Sequence, residues 1–540
     1  MGITEILLVL VALLAGVGVF LAGVHFLSDN IEQLANTGIK NLFKKTANNR
    51  FINIGIGAAT TAIIQSSGVT TVLIVGFVNV GMMSLFQATS MIMGANIGTT
   101  ITAHIASLQE FDFTEYIKIL AFVGVMITMI WKSDKIKSVG FIVAGLGMIF
   151  IGLDLMKSSM TEIKDTLEMI FRIVDNPFLL LFIGIVVTAL AQSSSATTSI
   201  IITMAAAGVA IGDGGNSVLY MILGTNIGSC VTAVMSSFGA NTNAKRASLI
   251  HLLFNSFGSI IFFILLLSWK DFNVVTFAKW FADAPAVQIA MFHTFFNCIC
   301  TLIFFPFTNV FVKISTLLIK DKEEQEVICS LDERMLATPA LALDQSNLEA
   351  IKLADISMDA FLSSYDAFVT KDLSKVTEVH KKIEKANLLN KCITDYVIKV
   401  ASKTGGNDEK IINDLYNNLG DIMRIAEIAD NFTKYTKRQI DDELSFSPEI
   451  LDKVTVMVGK VNDLYVLTKE LLISKNTKLI EEIDFIEEGV DAMRKELIDE
   501  HIERLNCGKC KPENSSIFIN MVSNLERLGD HITYIAYTIK

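Results

Sequence analysis

Two apolar stretches, residues 52–64 and 69–80, flank the polar tetrad Gln65, Ser66, Ser67 and Gly68. The arrangement recurs where 178–191 and 196–210 flank Gln192, Ser193, Ser194 and Ser195. A helix needs about 20 apolar residues to cross the hydrocarbon core, so each stretch is roughly half a span. Irregular backbone exposed to lipid is prohibitively costly, and these polar joints must therefore face protein or a water-filled cavity. Half-length pieces at corresponding places in two halves of a chain point to re-entrant hairpins or broken helices. The expected fold is all-α, a polytopic membrane domain built on two homologous repeats.

The repeat extends beyond the tetrads. NRFINIGIGAATTAIIQSS (49–67) aligns with NPFLLLFIGIVVTALAQSS (176–194), and GANIGTTITA (94–103) aligns with GTNIGSCVTA (224–233). Repeat one covers about 5–107 and repeat two about 137–235, in an arrangement expected to be inverted, with further spans to 316. Segments 6–27, 117–131, 136–156, 247–267 and 289–314 approach or exceed full-span length. The first of these lacks a basic leader and carries Glu5, so it reads as a membrane helix rather than a cleaved signal.

Charge separates two regions. Residues 1–320 hold 17 Lys+Arg and 15 Asp+Glu, whereas residues 321–540 hold the other 28 and 41. The break predicts a membrane transport domain (1–320), a linker (321–345) and an acidic helical domain (346–540), whose balance argues against a nucleic-acid partner. Stretches 405–407 and 507–516 read as breaks between amphipathic helices, and the GDGG around Asp213 as a turn. The basic residues Lys313, Lys320 and Lys322 at the end of the last span predict a cytoplasmic soluble domain. The scattered cysteines, including the Cys507 and Cys510 pair, suggest no disulfide framework.

A hairpin turning inside the membrane exposes the first N–H groups of its second half-helix, and hydroxyls beside them add donors for an anion. Two such tips, from Ser66 and Ser67 and from Ser193, Ser194 and Ser195, can clasp one small oxyanion, with Gln65 and Gln192 ending the preceding half-helices. In the GxNIG segments, Gly94, Gly98, Gly224 and Gly228 are expected to permit local unwinding. Asn96, Thr99, Thr100, Asn226 and Ser229 offer neutral oxygen ligands for a hard cation such as sodium. The spans hold almost no Lys or Arg, so a buried polyanion needs co-bound cations. The competing reading is that Ser, Thr and Gly only let helices pack closely. His251 with Asn255, and His293 with Asn297, stand at i,i+4 on helix faces, where helix contact and support of the site are both open readings. No role is assigned to His25 or His104, and Asp154 is expected at the membrane interface. No nucleophile–base pair, P-loop or zincin motif argues for an enzyme.

The paired QSS and GxNIG elements, followed by HTFFN (293–297), resemble the type II sodium–phosphate cotransporter family over about residues 5–316. That resemblance implies re-entrant tips lining a phosphate and sodium site, carried here by Gln65, Ser66, Ser67, Gln192, Ser193, Ser194 and Ser195. Gly68 departs from the pattern, standing where the family has a third serine. NLERLGDHITYIA (524–536) resembles the PhoU family of helical bundles. The likeness implies a divalent, iron or zinc site at Glu526 and Asp530, with Glu427 from the degraded earlier copy DIMRIAEIADN (421–431).

The expected function is secondary transport of inorganic phosphate across the cytoplasmic membrane coupled to sodium, with a regulatory PhoU-like domain. The alternatives are a phosphate sensor without net transport, or a phosphate exporter. The partners are phosphate, sodium and the lipid bilayer, with a homodimer or a cytoplasmic signalling protein left to the soluble domain.

Overall fold

The computed structural model describes residues 3–44, 49–212, 214–320, 329–404 and 409–539, and the chain divides into two compact units, Met1–Glu324 and Gln325–Lys540. Asp213, the 405–407 break and Lys322, with residues 321–328 of the expected linker, lie outside the described residues. No strand occurs among those described.

In the first unit, α1 (Ile3–Lys44) is followed by the hairpin α2 (Arg50–Ile64) and α3 (Ser67–Asn79). Next come α4 (Leu85–Gly98), α5 (Thr100–Ser107), α6 (Leu120–Ile130) and α7 (Asp134–Glu162). The second hairpin, α8 (Pro177–Ala191) and α9 (Ser194–Ala206), precedes α10 (Ser217–Gly228) and α11 (Cys230–Ser236). The unit closes with α12 (Thr242–Ser268), α13 (Pro285–Phe304) and α14 (Thr308–Leu318). α2 lies along α4 and α8 lies along α10, so the two repeats share one packing plan.

Among the described residues, five stretches are long and apolar enough to cross a membrane, or up to seven if each of two bent pairs is counted as one. Two departures from the sequence reading matter. The 117–131 segment is the second limb of a pair bent by 112°, not a free-standing span. Conversely Ser217–Ser236 is a span, although GxNIG within it reads as a place to unwind. The interruption there is confined to one residue in each repeat, Thr99 and Ser229, and both keep α-helical dihedrals.

The glycines serve a different purpose. A Cβ on Gly94 would sit 2.0 Å from the Ile54 carbonyl oxygen, and one on Gly224 would sit 2.2 Å from that of Leu181. Gly98 and Gly228 meet Ala58 O and Ile185 O at 2.4 and 2.6 Å in the same sense. These positions let α4 and α10 press backbone to backbone against the first limb of each hairpin, as small residues do between membrane helices.

The second unit contains α15 (Pro339–Thr370), α16 (Leu373–Ala401) and α17 (Glu409–Asp441), which pack together. The helices α18 (Pro448–Ser474), α19 (Leu479–Asn506) and α20 (Ser515–Tyr537) form a second trio, and α17 also packs on α20. Buried Phe361, Phe368 and Phe432 fill the first trio. Pro339 stands in the first turn of α15, where its missing N–H costs nothing, so helix begins inside the stretch read as linker. Cys329 and Cys392, 63 residues apart, are joined by a disulfide that the scattered cysteines had not suggested.

Candidate functional site

The two tips share one backbone solution. Asn49 caps α2 by accepting from Phe51 and Ile52 N–H, and Asn176 caps α8 through Phe178 and Leu179. Each first limb ends on a glutamine in the left-handed region, Gln65 at φ 57° and Gln192 at φ 52°. A non-glycine residue there costs about 1–2 kcal/mol, and the cost is offset by the turn it makes possible. Ser66 and Ser193 follow in extended conformation as N-caps, their Oγ atoms accepting from Val69 N–H at 3.3 Å and Ala196 N–H at 3.2 Å. The first N–H groups of α3 and α9 have no acceptor within their own helices, and the helix dipoles make both ends positive.

Both tips line one cavity of about 260 Å³, which gathers Gln65, Ser66, Ser67, Gln192, Ser193, Ser194 and Ser195 with Ser229. Ser67 and Ser194 are buried, and among the described residues neither hydroxyl has a hydrogen-bond partner. Such hydroxyls, set beside helix N-termini, are suited to a small oxyanion.

The cavity also contains residues that the sequence reading passed over. Thr232 lines it, as do His25, Asp29 and Glu32 of α1. The available signal was the spacing of those three, i, i+4 and i+7 on an otherwise apolar helix.

The tips differ in their side-chain ties. Gln65 is buried, its Nε2 donating to Ala62 O at 2.6 Å and its Oε1 accepting from Thr102 Oγ1 at 3.0 Å. Gln192 is exposed and touches Met235 Sδ at 3.5 Å.

Of the cation candidates, only Ser229 reaches the cavity. Asn96, Thr99, Thr100 and Asn226 are buried and do not line it. Asn96 and Asn226 donate back to Ile92 O and Ile222 O of their own helices, and Thr100 donates to Ile97 O. Thr99 Oγ1 is buried with no partner among the described residues. Asn255 supports the break in the second repeat, its Nδ2 donating to Asn226 O at 2.8 Å and lying 3.2 Å from His251 Nε2. Asn297 donates instead to His293 O within α13, and neither of that pair lines the cavity. His104 is tied to Thr294 Oγ1, and Asp154 pairs with Lys118 at 2.7 Å.

In the second unit, Asp530 clusters with Glu487 and Asp491 rather than with the set read from sequence. Glu427 is exposed and paired with Arg424, while Glu526 faces Arg494 at 3.8 Å. Partial burial, and then the neighbouring carboxylates, hold the Glu487, Glu526 and Asp530 carboxyls above the usual range. Cys510 Sγ lies 3.8 Å from His501 Nδ1, and no further metal-ligating group joins them among the described residues.

Comparison with known proteins places this geometry. Residues 19–158 and 160–278 match the Na+/Pi-cotransporter family in two successive segments. The first unit carries that family's domain. Residues 454–539 match the PhoU domain, confining that likeness to α18–α20 and leaving out the copy with the degraded motif. The putative inorganic phosphate export protein YjbB of Escherichia coli (strain K12) is 24% identical over 99% of this chain and 98% of its own length. The uncharacterized protein YqeW of Bacillus subtilis is 28% identical over 58% of this chain and all of its own. The sodium-dependent phosphate transport protein 2A of Mus musculus is 30% identical, over 22% of this chain and 20% of its own length. No solved structure matches. With its apolar helices and this family, the chain is a membrane protein related to phosphate transport.

Proposed function

We propose that the protein is a secondary transporter that binds inorganic phosphate between the two serine tips and moves it across the cytoplasmic membrane with sodium. The observation that carries this reading is the shared cavity. Two hairpins approach with the same backbone turn and offer unpartnered Ser67 and Ser194 hydroxyls and two helix N-termini to one space. In this reading the hairpins are re-entrant and the repeats inverted, and rocking of the hairpin-bearing elements about the shared site gives alternating access.

Sodium offsets the phosphate charge that the cavity cannot meet with lysine or arginine, since none lines it. Asn96, Thr99, Thr100 and Asn226 then act one layer behind the site, with Asn255 and His251 supporting the second break. Removal of Asn255 would loosen Ser229, the one of the sequence-derived sodium candidates that reaches the cavity. Outward movement is the second reading, favoured by near full-length relatives named for phosphate export.

The soluble unit tunes transport in this proposal, and Lys313 and Lys320 at the end of α14 favour its placement in the cytoplasm. Glu487, Asp491 and Asp530, with Glu526 alongside, are the groups to test there for a divalent ion. Labelled phosphate flux in proteoliposomes tests the function. Flux that follows a sodium gradient and fails with choline supports it, whereas saturable phosphate binding without flux would leave a sensor.

A further inference from the structure

The cavity between the tips has a third wall, and that wall carries all of its charge. Helix α1 contributes His25, Ser28, Asp29 and Glu32 on one helical face. Ser28 Oγ donates to Ile64 O at 2.8 Å, fixing this turn of α1 against the residue that precedes the left-handed Gln65. His25 Nε2 lies 3.1 Å from Asp29 Oδ2, so the imidazole orients the carboxylate. Every other residue lining the cavity, from α2, α3, α9, α11 and the two tips, is uncharged.

Carboxylates lining the same cavity as an oxyanion site are repulsive on their own, because like charges disfavour each other. The arrangement becomes favourable when a cation lies between them. The same cavity also presents buried hydroxyls suited to meeting a ligand. Ser67 and Ser194 are 7% and 9% exposed, and among the described residues their hydroxyls have no hydrogen-bond partner.

We propose that the α1 wall is a cation subsite of the clasp, in which the Asp29 carboxylate, with Glu32 beside it, takes sodium next to the bound phosphate. The chemistry fits a hard monovalent cation: carboxylate oxygens from α1, hydroxyl oxygens from the tips, and no thiol or imidazole nitrogen aimed at the ion, since His25 is engaged with Asp29. The subsite also supplies coupling. Phosphate binds at the helix N-termini, sodium binds at the carboxylates, and each removes the repulsion that the other would meet alone. This inference rests on the phosphate-transport reading of the same cavity, and it makes α1 part of the ion path.

The test is equilibrium binding of radioactive sodium to the purified full-length protein, with and without inorganic phosphate, beside flux in proteoliposomes. Wild type is expected to bind sodium more tightly when phosphate is present. Asp29→Asn is expected to weaken sodium binding about tenfold or more and Glu32→Gln by a smaller factor. Sodium binding unchanged in both Asp29→Asn and Glu32→Gln, or absent from wild type, would overturn the subsite. Sodium binding without phosphate flux in wild type would overturn the transport reading and leave the subsite standing. Should Asp29→Asn fail to fold, Glu32→Gln carries the decision.

Discussion

The two hairpin tips follow the same main-chain path and differ in how their side chains are held. Gln65 and Gln192 adopt nearly the same left-handed conformation, and Ser66 and Ser193 cap the following helices in the same way. Yet Gln65 is buried and fastened by Thr102, whereas Gln192 is exposed and rests on a methionine sulfur. Position 68 is glycine where the second tip has Ser195. A Cβ at Gly68 would lie 3.4 Å from Thr232 Oγ1, so a hydroxyl from the other repeat already occupies the neighbourhood of the absent serine. Duplication has preserved the turn that creates the site, while the two halves have divided the labour: the first tip is tied down and the second is open.

Four sets of variants or conditions probe the two repeats and the soluble unit, in order of expected size. The packing common to both repeats should fail equally in both. Gly94→Ala and Gly224→Ala each drive a methyl into a carbonyl oxygen with only backbone to yield, for a loss of about 1–3 kcal/mol or more. Fluorescence-detected size exclusion with heating would read this, and tolerance of one but not the other would show that the repeats are not packed alike.

The buried hydroxyls come next. Ser67→Ala and Ser194→Ala each remove a donor to a charged ligand, about 1.5–3 kcal/mol, or roughly 10–100-fold in phosphate affinity. Binding measured with labelled phosphate checks this, and wild-type affinity in both would remove the serines from the site.

The tether is smaller. Thr102→Val leaves Gln65 Oε1 without its donor while Nε2 still donates to Ala62 O, for a loss of about 1 kcal/mol in the ordering of the first tip. A few-fold drop in transport is expected, while Met235→Leu at the second tip should change it less. Gly68→Ser fits in ordinary contact and should move phosphate affinity by no more than about threefold, since Thr232 already supplies a hydroxyl there.

The smallest effect lies in the soluble unit. The Glu487, Glu526 and Asp530 carboxyls are raised, mainly by burial, so the folded state holds their protons more tightly than the unfolded chain does. Their contribution to stability is therefore fully present below the ordinary carboxylate range and is lost as pH rises through the raised values. Thermal unfolding of this unit should show that slope, and millimolar divalent ions at neutral pH should flatten it if a cation replaces the protons.

Much of this architecture was legible in the sequence, because duplication turns a weak signal into a registered one. The lone QSSG reads equally well as helix packing, but paired with QSSS at matched spacing it locates both turns and names the residues that line the cavity. What sequence could not reveal depends on contacts between distant segments. The Thr102 tie to Gln65 spans 37 residues. Glu487 and Asp491 reach Asp530 from another helix, so the motif around Glu526 and Asp530 pointed to only part of the carboxylate group. The GxNIG glycines were misread because glycine serves both unwinding and close approach, and only the facing carbonyls of Ile54 and Leu181 tell the two apart. The α1 wall escaped notice because a helix that begins as an apolar span draws attention away from its last charged turns.

The central claim is that both tips hold one phosphate and that sodium drives its passage. Labelled phosphate flux should be measured in proteoliposomes carrying the full chain, with sodium exchanged for lithium or choline and with arsenate and sulfate as competitors. The account predicts saturable flux that requires sodium, competition by arsenate more than sulfate, and loss in Ser194→Ala. Flux indifferent to sodium, or unchanged in that variant, would contradict it.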